Sequence, residues 1–174
     1  MRSGDTQGSN RVSQTPDRAH RICVSYIDKS RDYYLARGYG NPYRWAHHED
    51  APFAPLAKSL AQARVALVTT AALARDDQGS YPVYAAPAWP PPASLYTDHR
   101  AWDKAATHTR DVESFLPIRR LTELVATRGI GDLSPRFYGV PTTFSQRRTV
   151  EEHAPAVLDL CRQDAVDVAL LVPL

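Results

Sequence analysis

The chain has 174 residues, 43% of them hydrophobic and 23% charged, with a formal net charge of +2. That length suits one domain with a real core, and so small a charge gives no electrostatic case for a nucleic-acid partner. Cys23 and Cys161 form neither a CxxC pair nor a zinc-ligand set, so no disulfide framework is expected and a reducing cytoplasm fits.

Met1 to His20 are polar, carry Gly4, Gly8 and Pro16, and lack the apolar stretch of a secretory signal. They read as a tail with too little apolar surface to order itself. Residues 21–50 read as an arm in which Tyr26, Tyr33, Tyr34, Tyr39, Tyr43 and Trp45 interleave with Arg31, Arg37 and Arg44. A short helix is predicted over Ile27 to Arg37, stopped by Gly38, and Gly40-Asn41-Pro42 predicts a turn. Asp28, Asp32, Glu49 and Asp50 weaken any base-stacking role. The arm reads instead as a cover for the body or for a partner subunit, since Tyr and Arg side chains are favoured at protein contacts.

Residues 51–174 carry the core signals. Arg64 to Thr70 is a short apolar, β-branched run, the pattern of a strand buried on both faces. Asp76 to Ser94, with Gly79 and the triplet Pro90-Pro91-Pro92, reads as a loop or extended excursion. A short strand is expected near Leu95, ending at Asp98 or His99. After Ser114, Ile118, Leu121, Leu124 and Val125 follow helical spacing, with Pro117 in the first turn and Gly129 at the exit. Pro135 to Val140 predicts another strand, and about His153 to Gln163 a second helix with Val157, Leu160 and Cys161 inward. Val166 to Val172 then reads as a second fully buried strand. No run approaches the roughly 18 to 20 apolar residues that span a bilayer, so no membrane partner is expected.

Two buried strands separated by helices predict an α/β domain: a mainly parallel sheet with helices on both faces. The two strands are expected side by side or one strand apart. In such sheets ligands gather beyond the carboxyl ends of the strands. A chain that stops at Leu174, on so apolar a strand, is therefore expected to be incomplete at its C-terminus and prone to associate.

The candidate chemistry is sparse. His99, Asp103, His108 and Asp111 form the densest polar set; they read as a solvated loop whose carboxylates cap the next helix, as substrate contacts, or as metal ligands. His47-His48-Glu49-Asp50 are chain neighbours that point different ways, a poor ligand set, and no metal site is expected. Thr69 and Thr70 end the first strand at the edge where ligands bind, although a satisfied turn hydroxyl is the plainer role. Cys161, on an apolar helix face, reads as an inert buried thiol, and Cys23 has no resolving partner. No P-loop, GxGxxG, GxSxG or HExxH motif occurs, and no cofactor is expected.

Several of these segments together resemble one family. Pro52-Phe53-Ala54-Pro55-Leu56 followed by Arg64 to Ala71 resembles the opening strand of the selenoprotein B family of glycine/sarcosine/betaine and D-proline reductases. Asp111 to Leu121 is similar to that family's aspartate, aromatic, proline and isoleucine helix start. Gly129 to Arg136 is similar to its helix exit, and Val166 to Leu171 to the strand that delivers its active site. His99 and Asp103 match a His and an Asp of its pattern. The resemblance covers residues 50–174, and the 76–94 loop departs from it by lacking a Gly-Asp-x-Ser pattern.

The resemblance implies a reductase that cleaves a C–N or related bond of a small amino-acid-like substrate. Its nucleophile would be a selenocysteine or cysteine just after Leu174, resolved by a further cysteine and restored by a dithiol donor. A selenocysteine codon read as stop would end the chain at this point, and the chain as given is expected to be inactive. The alternatives are a non-catalytic binding or assembly module, or a divergent reductase-like enzyme with an unrelated substrate.

Overall fold

A computed structural model describes residues 29, 31–40, 49–50, 54–73, 81–96, 110–143 and 145–172. The chain divides into two units, Met1–Glu49 and Asp50–Leu174. The expected tail, the 41–48 turn and His-His pair, and the stretch holding His99, Asp103 and His108 lie outside the described residues. In the first unit a helix runs over 31–36. Gly38 ends it with φ +84°, where its N–H donates to the Leu35 carbonyl and that of Tyr39 to Tyr34. Tyr33, Tyr34 and Tyr39 meet edge to face, and the Arg37 guanidinium lies 4.9 Å from the Tyr33 ring centroid.

The second unit is a mixed α/β fold built on a five-stranded, mostly parallel sheet. Strand β1 (Arg64–Thr69) is its centre. β2 (Tyr84–Pro87) is antiparallel to β4 (Arg136–Gly139), and β4 lies parallel to the end of β1. β3 (Asp132–Leu133) pairs with the start of β1 on that same side. On its other side β1 takes β5 (Val168–Val172), parallel and in register from Val65↔Val168 to Thr69↔Val172. The two strands predicted from their apolar runs are thus direct neighbours.

Alternation along β1 feeds two cores. Val65 and Leu67 point to one face and pack with Leu95, Phe115 and Phe137 and with Ile118 and Leu121 of helix α1 (Ile118–Ala126). Ala66 and Val68 point to the other, against Tyr138 and Cys161 of helix α2 (Ala154–Gln163), with Val157 and Leu160 partly buried beside them. Helices therefore lie on both faces. Burying a side chain as fully as Leu67, 1% exposed, contributes roughly 1.5 to 3 kcal/mol.

The Glu113 carboxylate accepts the Arg119 N–H at the start of α1, satisfying one of its free donors. After α1, Gly131 passes so close to the Gln62 and Ala63 backbone that a Cβ would collide with it. Its N–H donates to Leu60 (3.0 Å) and Ala63 (3.1 Å), tying the loop to the foot of β1.

Two expectations are sharpened and one needs correction. The segment read as a loop or extended excursion contains the strand β2: Tyr84, Ala85 and Ala86 pair with β4, and Pro87, lacking an N–H, falls at the strand's last position. Near Leu95, which is buried, an isolated bridge joins Tyr96 to Ala72, and the rest of the strand expected there lies outside the described residues. β5 is not fully buried: it pairs with β1 alone among the described residues, and Leu170 and Leu171 are 42% and 69% exposed.

The last helix also begins earlier than its apolar pattern. A helical turn at Gln146–Arg148 and a π-helical turn at Thr149–His153 lead into α2. Pro155 has no N–H to give the Glu151 carbonyl and its ring crowds that oxygen, which a widened turn accommodates. The added turns are polar and held by the i, i+4 pairs Arg147–Glu151 and Arg148–Glu152, so hydrophobic periodicity did not mark them.

Candidate functional site

The amino and carboxyl ends of the parallel strands differ sharply in polarity. At the amino end, Arg64 donates to Asp132 Oδ2 through Nε and Nη2 (3.1 and 2.9 Å) and to the Asp164 carbonyl through Nη1 (2.8 Å). Asp167 accepts the Arg64 backbone N–H at 2.8 Å and pairs with Lys58 at 2.9 Å. That N–H first, then Lys58, holds the Asp167 carboxyl below its usual range. Every charge there has a partner, so this end is a structural clasp.

At the carboxyl end, β1, β5 and α2 enclose a groove of about 520 Å³. Val68, Thr69 and Thr70 form its floor with Val140, and Ala169, Leu171 and Val172 of β5 form one wall. The helical wall is a stripe at spacing four: Thr149, His153, Val157 and Cys161. Volume and lining match those of small-molecule sites, and the carboxyl edge of a parallel sheet is where such sites form.

Two tyrosines from the segment around β2 fix this edge. Tyr81 Oη donates to the Thr70 carbonyl (2.7 Å) and to that of Val140 (3.3 Å), and Tyr84 Oη to that of Ala71 (2.6 Å). Burial, then the neighbouring Tyr81, pushes the Tyr84 phenol above its usual value, so it stays a donor. Behind the groove, Asp164 accepts from Arg136 Nε (2.8 Å) and Nη2 (2.9 Å) and from Tyr138 Oη (2.7 Å). The Arg136 bonds hold its carboxyl low, and burial pushes the Tyr138 phenol up to about 12.

Of the candidates named from sequence, Thr69 and Thr70 line the groove. Thr69 is buried and its Oγ1 accepts the Ala71 N–H at 3.2 Å, the geometry of a turn hydroxyl. Asp111 stands elsewhere: its Oδ1 accepts the Glu113 N–H at 3.2 Å, and it borders a separate recess with Pro91, Pro92, Arg110 and Arg119. His99 and Asp103 lie outside the described residues. Cys161 is buried, and desolvation, then nearby Asp164, raises its thiol pKa, which makes it a poor nucleophile. No group of three or more His, Cys, Asp or Glu that could hold a metal occurs among the described residues.

His153 was missed as a site residue. It is 6% exposed, stands on the π-helical turn and lines the groove, and its Nδ1 has no hydrogen-bond partner among the described residues. An unpaired buried polar group costs about 1 to 3 kcal/mol, and π turns gather at functional sites. The stripe Thr149-His153-Val157-Cys161, polar at its head and apolar below, was the available signal.

Comparison with family models, curated proteins and solved structures finds no match. Among the described residues no helix is long and apolar enough to cross a membrane.

Proposed function

We propose that the chain is a selenoprotein B-like subunit of a cytoplasmic, dithiol-driven reductase, with the groove beyond β1 and β5 as its substrate cleft. One observation supports this reading above the others. The strand whose sequence resembles the family's active-site strand lies parallel and in register beside β1, and both carboxyl ends open on the same apolar groove. A selenolate or thiolate following Leu174 would attack there, a second thiol would resolve the intermediate, and a dithiol would restore the pair. Cys161 does not serve as nucleophile, because its thiol is buried and its pKa is raised. The partners are a small amino-acid-like substrate, a second reductase subunit and the dithiol donor, with no nucleic acid.

The divergent alternative, a reductase of unrelated substrate, is favoured by the groove's lining, which among the described residues has no Lys, Arg, Asp or Glu to hold a zwitterion. Dithiol oxidation tests both. The protein, with any codons after Leu174 translated, is incubated with a dithiol and with glycine, sarcosine, betaine, D-proline or neutral apolar amines. The expected result is two thiols oxidised per C–N bond cleaved for at least one of these. A dithiol that stays reduced with all of them would favour a non-catalytic binding module.

A further inference from the structure

We infer that the groove between β1, β5 and α2 binds a neutral molecule with an apolar body and a single hydrogen-bonding group, which His153 recognises. The inference rests on the reductase reading only in calling that molecule a substrate.

Three observations converge on it. The groove has the volume of a small-molecule site, and its lining is aliphatic except for three threonines, His153 and the Cys161 thiol. A carboxylate or ammonium buried there would find no opposite charge among the lining residues, and an unpaired buried charge is strongly disfavoured. Among the described residues His153 is the groove's sole nitrogen-bearing side chain, and its buried Nδ1 has no partner among them.

An imidazole in its neutral form offers one acceptor and one donor nitrogen. Nδ1 is enclosed, so a ligand reaches it when the ring turns about χ2, a broad two-fold torsion for histidine. Ligand entry is along the exposed side of β5, where the groove-lining Leu171 is 69% exposed. A ligand hydroxyl or amide N–H then donates to the nitrogen while its body lies against Val157, Leu171 and Val68.

The test uses para-cresol and toluene, which share a ring and differ by one hydroxyl, with glycine and betaine as charged competitors. Calorimetry on the whole chain is expected to show cresol binding about tenfold or more tighter than toluene. His153→Phe, which keeps the ring's bulk, should reduce cresol to toluene's affinity, and the 15N resonances of His153 should shift with cresol alone. Ala169→Trp, at an exposed position on the groove wall, should abolish both.

Equal affinities, competition by glycine or betaine, or no binding at millimolar concentration would overturn the inference. So would a concentration-dependent dimer that excludes both probes, since the groove would then belong to a second copy. These measurements need no redox residue, so they fail independently of the reductase reading. Dithiol-driven turnover in a protein that binds neither probe would sink this inference alone, whereas cresol binding in a protein that never oxidises a dithiol would sink the reductase reading alone.

Discussion

Asp164 joins two elements: its backbone N–H caps the end of α2, and its carboxylate accepts from Arg136 and Tyr138 of β4. Its side chain is 10% exposed, so replacing it strands two donors in a poorly hydrated place. Asp164→Asn is expected to lower unfolding free energy by about 3 kcal/mol, read by urea titration. Because its pKa is depressed in the folded state, its contribution is complete above the unfolded value of about 4. It is lost as pH falls through the lower folded value. The wild-type stability should therefore drop in acid more steeply than that of Asp164→Asn, and parallel acid limbs would contradict this. Little of this network was legible beforehand, because Arg136, Tyr138 and Asp164 come together only when β4 and α2 pack. Thr69 and Thr70 could be placed from sequence because a strand's end is a local property. His153 could not, because its lack of a partner depends on what surrounds it.

At the scale of elements, β1 and β5 were legible from composition, and so were both helices on opposite faces, because each carries its pattern within its own residues. β2 was hidden by the prolines around it, and only its pairing with β4 reveals it. β5 misled in the other direction. Its apolar run predicts burial on both faces, yet Val168 and Val172 alone pack against the α1-side core while Leu170 and Leu171 stay exposed. A sequence run reports a strand's composition and not the number of its neighbours. Leu171→Lys is accordingly expected to change stability by no more than about 0.5 kcal/mol. Leu67→Ala, two positions from the end of the central strand, should cost about 2 to 5 kcal/mol. Thermal melting of the two variants separates the outcomes, and a large loss for Leu171→Lys would mean that something covers β5 in solution.

For the whole molecule, both core clusters draw, among the described residues, on positions from Val65 onward. A protein beginning at Asp50, where the second unit starts, should therefore unfold cooperatively with a Tm within a few degrees of the full chain. A broad, non-cooperative melt would show that the aromatic arm contributes to that core. Chemistry at the carboxyl edge is the larger claim, and the sequence conveyed it only as resemblance, since neither strand carries the reacting group. The direct measurement is mass spectrometry of the natural protein after brief iodoacetamide treatment at mildly acidic pH, where only a low-pKa selenolate or thiolate reacts. Rapid modification of a selenocysteine or cysteine following Leu174 is expected, prevented by prior oxidation of the pair, with Cys161 untouched until the protein is unfolded. Modification of Cys161 in the native protein, or of no residue beyond Leu174, would contradict it.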